Sequence, residues 1–187
     1  MGICPWALTS PEMKTYHDQE WGHPEHDSQK LFELLSLETY QAGLSWQTVL
    51  NKRAAFRRDF ADFSLAKVAA MTTTDIEQLL TDTTIIRNRQ KLMATVNNAQ
   101  VILALPTKTE FSDFNQYLWH YVDGKPQINY PQTSQEVPAQ SRLSQQISAD
   151  LKKLGFKFVG PTICYSFLQA VGMIDDHLVG CPAKSQV

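Results

Sequence analysis

The chain has 187 residues, 43% of them apolar and 19% charged, and its formal net charge is −2. That length suits one domain over 1–187, and so small a charge excludes attraction of a polyanion by bulk charge alone. No window approaches the roughly 18 apolar residues of a membrane span, and three cysteines without a secretory leader point to reduced thiols and the cytoplasm. Met1-Gly2 opens as a myristoylation signal does, but Trp6 stands where that signal needs Ser or Thr.

The pattern is helical nearly throughout. Asp27-Ser28 caps a helix carrying Leu31, Phe32, Leu34 and Leu35 at helical spacing. Ser45 caps a second with Val49, Leu50, Ala54, Phe56 and Phe60. Thr74 to Glu77 reads as a capping box ahead of Leu79 and Leu80. A long helix runs from Ile85 to about Leu105 and stops at Pro106, and Phe111–Val122 forms another, stopped by Asp123-Gly124-Lys125-Pro126. Residues 126–140, with Pro126, Pro131 and Pro138, read as a loop. Ser141–Leu154 and Pro161–Val171 complete the set, and no strand alternation of useful length appears. The expected fold class is all-α.

Basic residues gather at Lys52, Arg53, Arg57 and Arg58, at Arg87, Arg89 and Lys91, and at Lys152, Lys153 and Lys157. Solvated helix faces and a local polyanion footprint both account for such runs. Between the last two helices, Gly155 supplies a left-handed turn and Gly160 a close backbone approach. Pro161 then opens the next helix, whose start presents unpaired N–H groups and a positive dipole end suited to a phosphate. An ordinary αα-corner with surface lysines has the same local sequence.

In Leu37-Glu38-Thr39-Tyr40-Gln41-Ala42-Gly43-Leu44-Ser45-Trp46 a carboxylate closes one helix and a tryptophan opens the next. Glu38 follows Leu34, Leu35 and Leu37, and a carboxylate drawn into such surroundings needs donors. A surface glutamate beside a core tryptophan satisfies the pattern equally well. Cys4 and His17 stand near the start of the chain, His177 and Cys181 near its end. Two thiols and two imidazoles are the ligands of a closed tetrahedral zinc site, although four unrelated positions give the same spacing. Trp6, Tyr16 and Trp21 lie beside the first pair. Cys164, in an apolar helical run, reads as a buried free thiol, and His23, His26 and His120 as surface or polar-core side chains.

Four blocks together resemble the 3-methyladenine DNA glycosylase I family: Tyr16-His17-Asp18-x-Glu20-Trp21-Gly22; Gln41 to Trp46; Gly155 to Gly160 with Thr162 to Phe167; and Asp176-His177-x-Val179-Gly180-Cys181. The likeness runs from Cys4 to Cys181. It implies a helix-hairpin-helix glycosylase fold, with the hairpin motif over about 141–172 and zinc-binding ends at 1–21 and 175–183. It also implies Cys4, His17, His177 and Cys181 as ligands of one structural zinc. Glu38, Tyr16 and Trp46 are then expected around the excised base, and Trp6 and Trp21 lining the pocket. Gly43, Leu44, Gly155, Lys157 and Gly160 are expected to meet DNA. The implied activity is hydrolysis of the glycosidic bond of 3-methyladenine in double-stranded DNA, by a monomer that flips the nucleotide, releases the free base and leaves an abasic site. Asp175 and Asp176 read as a helix end orienting His177, because they come too soon after the hairpin to support the reacting sugar. The helix after the hairpin offers no lysine for a Schiff base. Two alternatives stand beside this reading: a non-enzymatic, zinc-stapled DNA-binding module, and a broader-range glycosylase with lyase activity.

Overall fold

The computed structural model describes residues 2–184, so Met1 and residues 185–187 of the expected domain fall outside the described residues. A 3-10 turn over Pro5–Thr9 leads into α1, Pro11–Gln19, started by the Ser10 side chain accepting from the N–H of Met13. Helix α2, Ser28–Gln41, is capped by Asp27, and α3, Trp46–Asp59, by Ser45, as the sequence predicts. Short helices α4, Leu65–Ala69, and α5, Thr73–Leu79, precede α6, Arg89–Leu103, and α7, Leu105–Lys108. Helix α8 is Phe114–Trp119, α9 is Arg142–Leu154 and α10 is Pro161–Ala170.

Several boundaries differ from expectation, each for a local reason. The capping box belongs to Thr72 and Asp75 rather than Thr74 and Glu77. The α6 helix begins at Arg89 because the Asn88 side chain caps it. Pro106 does not stop a helix but sits in the first turn of α7, where its missing N–H is harmless. The loop at 126–140 holds an unexpected strand: β1, Gln127–Ile128, pairs in parallel with β2, Ile174–Asp175. Asp175 therefore lies on a strand and not at a helix end. Among the described residues no helix is long and apolar enough to cross a membrane.

Helix α2 is the axis of the core, with every residue from Leu31 to Tyr40 buried. Around it pack Phe56, Phe60 and Phe63, and α10 lies against both α2 and α9. A helix buried on all sides must satisfy its own polar side chains. Ser36 and Thr39 donate to the carbonyls of Phe32 and Leu35, at 2.8 and 3.1 Å. Glu33 accepts from Arg53 Nε at 2.5 Å and Arg57 Nε at 2.8 Å. The fourth buried polar residue, Glu38, is not settled this way.

The two ends of the chain meet beside α10. The N–H groups of Gly22 and Glu25 donate to the carbonyls of Gln169 and Val171. Gly172, at φ +67°, permits this approach, since a Cβ there would stand 2.4 Å from the carbonyl oxygen of His23.

Candidate active site and metal centre

Cys4, His17 and Cys181 are buried, with their ligand atoms all within 4.8 Å of one another. Cys181 Sγ lies 3.4 Å from His17 Nε2, while His17 Nδ1 faces Asp18 Oδ1 at 2.7 Å. His177 stands beside them, its ring 4.8 Å from that of His17. Its Nδ1 is 2.8 Å from Asp175 Oδ1, and its Nε2 is buried without a hydrogen-bond partner. A carboxylate on one ring nitrogen leaves the other bare, the orientation that metal-binding imidazoles receive from such neighbours. Burial pushes the Cys4 thiol up to about 11, and Cys181 adds to the shift. Paired thiolates in that setting require a cation. The donor set and the orphaned Nε2 therefore fit a divalent metal. Gly22 is needed here, because a Cβ would approach His177 Cε1 to 2.6 Å.

Of the two aspartates read as partners of His177, only Asp175 bonds it. Asp176 is turned elsewhere: Oδ2 accepts from Tyr165 Oη at 2.6 Å and Gln169 Nε2 at 2.7 Å, and Oδ1 from Asn129 Nδ2 at 2.7 Å. A carboxylate so fully engaged is a poor base.

A cavity of about 480 Å³ opens beside this candidate metal site. Trp6, Tyr16, Trp21, Glu38 and Trp46 all line it, together with Cys4. The rings form a continuous wall: Trp6 to Trp21 at 5.1 Å and Tyr16 to Trp46 at 5.2 Å between centroids. Two polar atoms of this wall, Glu38 Oε2 and Trp46 Nε1, are buried and have no partner among the described residues. Burial raises Glu38 from the ordinary carboxylate range to about 8. Burial, with Glu38 next, also holds the Tyr16 hydroxyl well above its usual range. Gln47 and the loop residues Ser134 and Val137 complete the mouth. Nothing in the sequence signals them, since 126–140 reads as a loop; the β1–β2 pairing, the Asn129–Asp176 bond and the bond from the N–H of Val179 to the carbonyl of Pro131 tie that loop to the segment after α10.

The loop between α2 and α3 leaves the cavity as an exposed tip. Gly43 takes φ +84° with open space around it, and Leu44 is exposed. Lys91, buried on α6, anchors the base of this loop by donating to the carbonyls of Tyr40 and Ala42 at 3.2 and 3.3 Å. The hairpin from Gly155 to Gly160 is clamped by the same helix. Asn98 exchanges two bonds with the backbone of Lys157, at 2.8 and 3.1 Å, and Asn97 donates to the carbonyl of Gly155 at 2.9 Å. Gly155 is left-handed at φ 104°; Gly160, at φ −64°, caps α10, and a Cβ added there would meet nothing within 4 Å. Its openness faces outward. Cys164 is a buried free thiol, as read, donating to the carbonyl of Val159.

The basic clusters are largely spent inside the protein. Arg53 and Arg57 hold Glu33, Arg53 also holds Glu20, Arg58 pairs with Asp59 and Asp82, Arg89 with Glu77, and Lys153 with Asp150. Lys52 bonds the carbonyls of Thr83 and Thr84. Of these clusters, Lys52, Arg87, Lys91, Lys152 and Lys157 enter no ion pair among the described residues, and Lys52 and Lys91 bond backbone carbonyls instead.

The sequence profile of the methyladenine glycosylase family matches residues 6–184. DNA-3-methyladenine glycosylase 1 of Escherichia coli K12 is 48% identical over 97% of this chain and 96% of its own length. DNA-3-methyladenine glycosylase of Haemophilus influenzae is 45% identical over 97% of each chain. The solved structure of Staphylococcus aureus 3-methyladenine DNA glycosylase I, which concerns 3-methyladenine recognition, superposes with a TM-score of 0.93 at 42% identity, covering 99% of this chain and 97% of that one. The chain belongs to the methyladenine glycosylase family.

Proposed function

We propose that this chain is a monofunctional DNA glycosylase that hydrolyses the bond between 3-methyladenine and deoxyribose in alkylated double-stranded DNA. It acts as a single domain and a monomer, with α9, the 155–160 hairpin and α10 as its helix-hairpin-helix. The observation that carries the reading is the pair of orphaned polar atoms, Glu38 Oε2 and Trp46 Nε1, in an aromatic cavity. A buried group left unpaired costs about 1–3 kcal/mol, a cost that a ligand bearing complementary groups removes.

Methylation at N3 makes the adenine cationic, so the base departs neutral with the bonding electrons and needs no protonation. Water supplies hydroxide to C1′ and its proton passes to solvent. The work left to the protein is extrusion, which costs a few kcal/mol, and discrimination of the lesion. Tyr16, Trp46, Trp6 and Trp21 offer ring faces to a cationic ring, at about 0.5–2 kcal/mol for each good contact. Glu38, ionising as the cation enters, accepts from the base edge. Tyr16 bonds the same edge through its hydroxyl. Leu44 on the Gly43 loop fills the vacated stack, and Gly155, Lys157 and Gly160 hold phosphates without reading sequence.

Cys4, His17, His177 and Cys181 hold one zinc. A closed site of four protein ligands supplies a structural clamp rather than an open coordination position. The clamp fixes Trp6, Tyr16 and Trp21, which are adjacent to its ligands in sequence. The two alternatives have less support. A DNA-binding module has no use for Glu38 and Trp46 converging on one cavity. The hairpin side of α10 carries no lysine for a lyase. The deciding experiment is incubation of purified protein with methylated duplex DNA: free 3-methyladenine and intact abasic strands are expected. Release of no base, or a borohydride-trapped adduct, overturns the proposal.

A further inference from the structure

A second groove, of about 460 Å³, lies away from the aromatic cavity and is lined by Gln90, Met93, Ala94, Asn97, Lys157 and Phe158. Its floor is the α6 face that carries residues 90, 93, 94 and 97 at helical spacing. The position of that face is fixed at both ends. One turn begins beside Lys91, which holds the base of the Gly43–Leu44 loop, and the other end is Asn97 and Asn98, which clamp the hairpin. Seven residues of helix separate Lys91 from Asn98, about 10 Å at 1.5 Å per residue. Roughly three nucleotides of one DNA strand rise through the same distance.

The lining has the composition of a nucleic-acid surface. None of its lining residues is acidic, and its one charged side chain, Lys157, is exposed and enters no ion pair among the described residues. Arg87, also in none, stands exposed just ahead of α6. Met93 is 54% exposed and Phe158 41%, so apolar surface faces solvent here. Phe158 is also held at φ 56°. That left-handed conformation costs a non-glycine residue roughly 1–2 kcal/mol, and an aromatic ring kept at such a position while exposed points to a use for the ring.

We propose that this groove seats one strand of the duplex, spanning the nucleotides between the base-flipping loop and the hairpin-bound phosphate. Phe158 and Met93 pack on sugar or base faces and Lys157 and Gln90 on the backbone. The inference rests on the glycosylase reading and adds a third DNA-contacting element to its two loops. The occupant is DNA rather than a protein partner because the groove starts at the hairpin, follows the same α6 helix whose Lys91 holds the other loop, and is lined by a lysine and no acidic group.

The test is Met93→Glu, which places a carboxylate in the groove at an exposed position, together with Phe158→Gly, which removes the ring and relieves the backbone. Duplex affinity is measured by fluorescence anisotropy, free 3-methyladenine binding by titration, and folding by thermal melting. Met93→Glu is expected to weaken duplex binding at least fivefold with free-base binding unchanged. Phe158→Gly is expected to weaken it while melting no lower than wild type, a combination that a merely structural ring does not give. Duplex affinity of Met93→Glu within fivefold of wild type overturns the inference. Wild-type protein that binds the duplex through this groove yet releases no base overturns the glycosylase reading instead.

Discussion

The aromatic cavity and the 155–160 hairpin are built on opposite terms. In the cavity, Glu38 and Trp46 each keep a buried polar atom without a partner, and Glu38 is driven to about 8 by burial alone. In the hairpin, the carbonyls of Gly155, Lys157 and Val159 all accept side-chain bonds, from Asn97, Asn98 and Ser148. One region is left unfinished until a ligand arrives. The other is finished in advance and meets its partner with surface groups. Their responses to mutation and pH differ accordingly.

The largest contrast is expected from the candidate metal ligands, of which Cys4 lines the cavity. Cys4→Ser with Cys181→Ser should lose about one bound zinc per chain and several kcal/mol of stability, as expected when a long closed loop is opened. Free 3-methyladenine binding should disappear with it. Metal analysis and chemical denaturation check this; an unchanged melt in a zinc-free variant removes the clamp.

Glu38→Gln should slow excision by roughly 10- to 1000-fold, the value of one charge-assisted bond plus some misorientation. Its stability effect has a definite sign. The folded-state proton affinity of Glu38 is raised, from 4.5 to about 8, so the folded state keeps a proton the unfolded chain loses. Stability from this group is therefore present below about pH 4.5 and falls as pH rises to about 8, by on the order of 4 kcal/mol in full. Denaturation of wild type and Glu38→Gln across that window should show the variant gaining relative stability with pH. Parallel curves contradict the buried carboxyl.

Asn98→Ala, which strips both bonds from the Lys157 backbone, should cost about 1–3 kcal/mol of stability and weaken duplex binding while sparing free-base binding. Equal loss of both binding activities would join the two regions that the comparison separates. The smallest effect is expected from Lys157→Ala: duplex affinity falls a few-fold, alike for all sequences, and the salt slope drops by roughly one. An unchanged slope removes Lys157 from the phosphate contacts.

What could be read from the sequence was what the chain decides locally. Asp27 and Ser45 cap the helices they precede, because an N-cap bond spans three residues. Even the misplaced capping box errs by two positions, since Thr72 and Thr74 offer the same hydroxyl. The aromatic cluster and its Glu38 were legible through motif blocks rather than through periodicity. Lys91, Asn98, Ser134 and Asp176 were not legible. Each acts on a segment distant in sequence, and a lysine bonding two carbonyls or an asparagine clamping a hairpin has no local signature. The arginines misled in the opposite sense: a basic run gives no sign that Glu33 and Glu20 lie folded against it.

The meeting of the chain ends also sets a schedule. His17 leaves the ribosome 160 residues ahead of His177, about 10–30 s earlier at ordinary rates of synthesis. The hairpin and α6 are complete before that interval closes, whereas the tryptophan wall beside Cys4 waits for the final segment. The tryptophan wall therefore gains His177 and Cys181 as neighbours only after the hairpin and α6 have been made, so the segment carrying these two residues decides when the cavity closes up behind its rings.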